Sequence, residues 1–215
     1  MKAGPKKLFE DCLSRFRQLE RCRESLITAF NAICECYRNG GKLLTCGNGG
    51  SASDAEHITC ELMKKFRIRR DVGDEVKKKL FDLGYSDAEY ISSHLEKTLP
   101  AISLVSQTSL ITAVVNDTAG DMIYAQQVFG YGKAGDILWV LSCSGNSPNI
   151  LNAVKVARML DMVVIGFTGE SGGALAPLCQ IPVCFPSSVT PCIQEMHLPA
   201  YHLLCAMVEE EFFGA

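Results

Sequence analysis

Lys42-Leu43-Leu44-Thr45-Cys46-Gly47-Asn48-Gly49-Gly50-Ser51-Ala52-Ser53-Asp54 passes from an apolar run through glycines into a helical pattern. A short apolar run that stops in glycine and small polar residues reads as a buried strand followed by a βα turn. Four comparable runs follow, at residues 101–105, 137–142, 163–168 and 181–185. Helical patterns separate them, clearest over 147–160 and 190–213. Continuous apolar strands alternating with helices predict a parallel sheet covered on both faces. The expected fold is α/β: a three-layer α/β/α sandwich around a doubly wound, mainly parallel, five-stranded sheet.

Outward from this frame, residues 8–38 read as one amphipathic helix, with apolar positions three and four apart at Leu8, Phe9, Cys12, Leu13, Phe16 and Leu19, then Leu26, Ile27, Phe30, Ile33 and Cys34. Asn39-Gly40-Gly41 ends it. Such a helix packs on another subunit or on its own sheet. Residues 67–100 interrupt the alternation with a charge-rich stretch patterned as two short helices around Gly84. A solvated surface insertion is the first reading, because long insertions cost little there; a lid or inter-subunit element is the second. The whole chain, 1–215, is expected to be one domain carrying that insertion.

Composition narrows the function. The 215 residues are 47% hydrophobic and 21% charged, with a formal net charge of -3. That supplies no basic excess for gripping nucleic acid. No apolar segment follows the first lysines, and no apolar run is long enough for a bilayer, so neither a secretory signal nor a membrane span is expected. The eleven cysteines are scattered, without a CxxC pair, and most lie in apolar segments. They read as reduced thiols in a cytoplasmic protein.

Two strand ends carry chemistry. The turn at Gly47–Ser51 and the turn Ser142-Cys143-Ser144-Gly145-Asn146-Ser147-Pro148 both open helices. Glycines admit close backbone approach, and a helix start offers free N–H groups to an anion. Ser147 is placed as an N-cap and Pro148 as a first helical residue. The turns match neither GxGxxG nor a P-loop, so no nucleotide cofactor is expected. Paired at the ends of parallel strands, they predict a phosphate cradle.

Helices carry the rest. His57 and Glu61 lie four apart on one face, and Gln194 and His202 lie eight apart, with Glu195 and His197 between them. An aldose–ketose isomerase needs one acid/base near two carbons and another near their oxygens. Glu61 and His202 fit those tasks. His57, Glu61, Gln194 and His202 could equally gather a divalent metal such as zinc, and spacing leaves both versions open.

The ordered motifs resemble those of bacterial phosphoheptose isomerases of the sugar-isomerase (SIS) fold. They are Gly47-Asn48-Gly49-Gly50-Ser51 with Asp54, His57 and Glu61-Leu62, then Asn116-Asp117, the Ser142–Ser147 loop, Phe167-Thr168-Gly169 with Gly172-Gly173, and Ile193-Gln194-Glu195 with His197 and His202. The resemblance implies conversion of sedoheptulose 7-phosphate to a heptose 7-phosphate, with Glu61 and His202 as the acid/base pair. It implies Ser51, Ser142, Ser144 and Ser147 on the phosphate, with the Gly49, Gly50 and Cys143 backbone in the same loops. It implies Asn48, Asp117 and Gln194 near the sugar. It implies a homotetramer and, in some members, one zinc ion per subunit on His57, Glu61, Gln194 and His202. Cys143 stands where the family usually has threonine, Pro191 where an acidic residue is common, and Lys65 where arginine is usual. A non-catalytic SIS protein that binds a phosphosugar as regulator or scaffold is the rival reading. Retention of all four helical polar residues argues against it.

Overall fold

The computed structural model describes residues 1–214. Its strands are β1 (Leu43–Gly47), β2 (Ala101–Ser103), β3 (Ile137–Leu141), β4 (Val163–Thr168) and β5 (Ile181–Cys184), in the spatial order β2-β1-β3-β4-β5. All four pairings are parallel. This is the five-stranded sheet that the apolar runs predict. The strand order reverses at β1, whose neighbours are β2 on one side and β3 on the other. Gly47 pairs with Leu141, so β1 and β3 end level and the turns that follow them emerge side by side. A crevice at such a switch point is where open α/β sheets bind ligands.

The helices are α1 (Ala3–Arg15), α2 (Arg23–Arg38), α3 (Gly50–Met63), α4 (Asp74–Asp82), α5 (Ala88–His94), α6 (Thr108–Asp117), α7 (Ile123–Tyr131), α8 (Pro148–Met159) and α9 (Thr190–Phe213). Alternate strand residues face opposite layers, and both layers are apolar. Leu43, Trp139, Ile165 and Phe167 meet Phe30 of α2 and Leu204 of α9. Leu44, Leu138, Val140 and Val164 meet Val128 of α7 and Val154 of α8. Burial on both faces explains why the strands read as unbroken apolar runs.

Two expectations change. The single helix over 8–38 is two helices joined by a 3₁₀ turn at Arg17–Cys22. Phe16 leaves the helical region (φ -118°, ψ 69°), and the turn buries Leu19 and Cys22. This bend lets α1 lay Phe9, Cys12 and Leu13 in the core beside α9 while α2 joins the layer against the sheet. Cys12 Sγ, 3.9 Å from the Pro199 carbonyl, marks the α1–α9 contact. The charged stretch after α3 does form two short helices around Gly84 (φ 79°), and all of α4 is exposed or half-buried. Arg70, however, read as part of that solvated charge, is 1% exposed. Among the described residues no helix is long and apolar enough to cross a membrane.

Candidate active site

Where β1 and β3 end, a hollow of about 190 Å³ is lined by Asn48, Ser51, Ser142, Ser144, Ser147 and Gln194, together with Cys143. The first turns of α3 and α8 meet here, each offering unpaired N–H groups and the positive end of a helix dipole. Gly49, at φ 57°, supplies the left-handed step that starts α3. A Cβ on Gly50 would stand 2.7 Å from Gln194 Nε2, so glycine here admits the amide that α9 brings. Ser147 occupies the N-cap of α8, but its hydroxyl lies 3.5 Å from Ser142 Oγ instead of capping the helix. Two hydroxyls thus face one space. Cys143 Sγ lies 4.0 Å from Ser51 Oγ, and burial pushes the thiol's pKa up, so it stands as a neutral group.

Asn48 lines the hollow with its amide already paired. Its side chain exchanges two hydrogen bonds, of 2.9 and 2.8 Å, with Asn149 in the first turn of α8. This amide pair clips one turn to the other. Tyr124 of α7 adds a hydrogen bond from its hydroxyl to the Gly47 carbonyl at 2.6 Å. Asp117 is not brought to the hollow. It ends α6, exposed, where it accepts a 2.7 Å bond from Asn116 Nδ2.

Further along α3, a second cluster forms. His57 Nε2 is 3.0 Å from Glu61 Oε1 and 3.4 Å from His202 Nε2. Helical spacing accounts for the first contact, and the packing of α9 on α3 for the second. Glu61 is 8% exposed, and its Oε2 has no hydrogen-bond partner among the described residues. Lys64 Nζ stands 3.6 Å from that oxygen. Burial lowers the His202 pKa, the charge on His57 lowers it further, and Glu61 opposes both. His202 is therefore a neutral imidazole near pH 7, able to give or take a proton. His57 follows Ser51 by six residues, about 9 Å of helix rise, which suits a sugar chain anchored by its phosphate at the hollow.

The expected metal set is only partly assembled. His57, Glu61 and His202 are nitrogen and oxygen donors of the kind zinc takes, and Glu61 Oε2 is an unpaired buried acceptor. Gln194 instead lies against Gly50. Among the described residues no group of three or more His, Cys, Asp and Glu is arranged to hold a metal ion. As they stand, the three side chains form a hydrogen-bonded cluster.

A buried ion pair underlies this cluster. Arg70 and Glu209 side chains are both 0% exposed and 2.8 Å apart. Arg70 also donates to the Leu62 carbonyl (2.6 Å) and the Glu61 carbonyl (3.0 Å), satisfying the last turn of α3. Glu209 accepts from the backbone N–H groups of Phe66, Arg67 and Ile68 at 2.8, 2.7 and 3.1 Å. The pair ties the end of α3 to α9, seven residues beyond His202. Composition concealed it: Arg70 sits in a charged run, and Glu209 in a run of three glutamates. Asn149 and Tyr201 gave no signal either, since neither stands in a motif.

The sequence pattern of the SIS domain family matches residues 8–76 and 91–169. A phosphoheptose isomerase of Desulfovibrio desulfuricans is 39% identical over 181 residues, which are 84% of this chain and 74% of that protein. The one from Rhodospirillum rubrum is 38% identical over 200 residues, 93% of this chain and 91% of its own. This chain belongs to the phosphoheptose isomerase family. A solved phosphoheptose isomerase from Francisella tularensis shares its fold at a TM-score of 0.75 and 33% identity, covering 95% of this chain and 96% of the other. One from Neisseria gonorrhoeae gives 0.70 and 31%, covering 94% and 98%. The fold class and the family expected from the motifs are both met. The stretch between the two matched blocks, 77–90, covers most of α4 and the start of α5.

Proposed function

We propose that this member of the phosphoheptose isomerase family converts sedoheptulose 7-phosphate to D-glycero-D-manno-heptose 7-phosphate through an enediol, with Glu61 and His202 moving the protons. The observation that carries the reading is the meeting of Glu61, His57 and His202, from two helices, beside a hollow lined with hydroxyls and helix starts. Ser51, Ser142, Ser144 and Ser147 hold the phosphate, with backbone N–H groups of the Gly49–Gly50 and Cys143 turns. Gln194 and Asn48 face the sugar. Glu61 takes the proton from C1 and returns it at C2, while His202 passes a proton between the two oxygens. Its neutral state, set mainly by burial, suits both halves of that exchange.

His57, Glu61, His202 and Gln194 are the proposed holders of one zinc ion, which would polarise the substrate's carbonyl oxygen. The proposed assembly is a cytoplasmic homotetramer. Exposed Leu110, Val115 and Phe129 on α6 and α7 support an assembly, as does a hollow of about 810 Å³ between α1 and α9 that reaches His202. Light scattering at micromolar concentration tests it, and a monomer there refutes it.

The decisive assay follows purified protein with sedoheptulose 7-phosphate by NMR in deuterated water. Glu61→Gln keeps size and hydrogen bonding but removes the base, so kcat should fall by about two to four orders of magnitude. Bound metal is measured in parallel, to separate loss of the base from loss of zinc. If solvent deuterium enters C1 or C2 in Glu61→Gln at the wild-type rate, the assignment is wrong. No turnover of any ketose phosphate by the wild type would favour a phosphosugar-binding protein.

A further inference from the structure

Glu61 lies in the last turn of α3, the part of a helix that frays most readily because its carbonyls lack partners within the helix. The chain leaves α3 at Lys64 in an extended conformation (φ -139°, ψ -179°), so no left-handed turn folds back to close it. Arg70 closes it instead. Its guanidinium donates to the carbonyl of Glu61 itself at 3.0 Å and to that of Leu62 at 2.6 Å. It also brings a positive charge to the negative end of the α3 dipole. The same guanidinium holds Glu209 Oε1 through Nε at 2.9 Å and through a second nitrogen at 2.8 Å. Glu209 follows His202 by seven residues, two turns along the same face of α9. Upstream of Glu61 the two helices also meet, where the Tyr201 hydroxyl lies 3.2 Å from Asp54 Oδ1 and 3.0 Å from His57 Nδ1. That contact leaves the last turn of α3 to Arg70 and to the Leu99 N–H, which reaches the Leu62 carbonyl at 3.1 Å.

We propose that Arg70, held by Glu209, is a positioning residue: it fixes the backbone of the Glu61 turn against the stretch of α9 that carries His202, and so sets where the two groups stand relative to each other. The clamp stands on these contacts; its effect on rate rests on the isomerase reading. A guanidinium is planar and directs its donors at fixed angles, so three acceptors define both its place and its orientation. A lysine would offer one nitrogen in place of three. Both side chains of the pair are 0% exposed, which keeps water from competing for the bonds. Glu209 is itself immobilised from the other side by the N–H groups of Phe66, Arg67 and Ile68. A displacement of about 1 Å between reacting groups costs on the order of a hundredfold in rate.

The test is Arg70→Lys, which keeps the charge, with Arg70→Met plus Glu209→Leu as a second variant that leaves no buried charge unpaired. Each is assayed with sedoheptulose 7-phosphate well below its own Tm, where all of the enzyme is folded. Both should lower kcat about ten- to a hundredfold. Both should leave KM within about threefold, because the phosphate hollow lies at the other end of the 14-residue α3, roughly 15 Å along the helix. Wild-type kcat in a folded variant with a lower Tm overturns the proposal and reduces the pair to a structural role. A loss confined to KM overturns it as well. Crystal structures of the wild type and Arg70→Lys decide the placement without any turnover. Glu61 shifted relative to His202 by about 1 Å or more supports the clamp, and an unchanged cluster overturns it. A wild type inactive toward every ketose phosphate therefore sinks the functional reading alone, while the two structures still judge the clamp.

Discussion

His197 on α9 is 0% exposed and packs between Phe167 and Phe185, at ring-centroid distances of 5.6 and 4.8 Å. Neither ring nitrogen has a hydrogen-bond partner among the described residues. Burial alone pushes its pKa down from 6.5 to about 4. The unfolded chain therefore takes up this proton on acidification well before the folded chain does. Stability is full above pH 6.5, falls as pH drops between 6.5 and 4, and levels off below 4. At about 1.4 kcal/mol per pKa unit, the full effect is roughly 3 kcal/mol, most of it reached by pH 4.5. His197→Leu removes the titration while keeping an apolar side chain in place. Urea unfolding of both proteins at one protein concentration, from pH 7.5 to pH 4.5, isolates the contribution, since every other group titrates in both. The wild type should lose about 2.5 kcal/mol more than the variant across that range. Parallel stability profiles would mean that the ring is hydrogen-bonded or hydrated in solution, and the argument from burial would fail.

Two further outcomes follow from the site and its support. Ser144→Ala combined with Ser147→Ala should raise KM for a phosphorylated substrate by about tenfold or more per hydroxyl, since bonds to a charged group are worth about 1.5–3 kcal/mol; an unchanged KM removes the phosphate from that loop. Arg70→Met leaves the Glu209 carboxylate buried without its partner and should cost about 3–5 kcal/mol, whereas Arg70→Met with Glu209→Leu should cost less. Equal unfolding midpoints for Arg70→Met and wild type would refute the lock.

What the sequence made legible was whatever periodicity and turn chemistry encode. The five strands stood out because both sheet faces are buried, and the two turns because glycine, serine and proline have few other uses in that order. The hollow at the strand ends lies where the β1 and β3 turns meet, as their order in the sequence leads one to expect. The pairing of His57 with Glu61 followed from a spacing of four. What stayed hidden depends on tertiary approach. Nothing along the chain distinguishes Arg70 from Arg67 or Arg69, because only the arrival of α9 decides which arginine is enclosed. The break at Phe16 was invisible for a related reason: apolar spacing resumes in phase at Leu26, although the axis has turned. Asp117 was carried by a motif, and a motif says nothing about which way the end of α6 faces. Tyr201 is one more aromatic in an apolar helix along the chain, and only the approach of α9 to α3 gives its hydroxyl two partners.

The neck of the α4–α5 excursion sets what that segment can do to the rest of the molecule. The chain leaves the end of α3 at Arg70 and comes back beside it, with Lys97 N–H on the Arg70 carbonyl at 2.7 Å and an antiparallel bridge between Asp71 and Glu96. Departure and return share one point, so the contour length between them is decoupled from the spacing of β1 and β2. Growth, shrinkage or replacement of the excursion alters a closed loop whose entropy changes only logarithmically with length. The helix that carries Glu61 ends on the fixed side of that neck. Lineages, or an engineer grafting a new segment between Asp71 and Glu96, can therefore change the periphery without re-registering the chemistry.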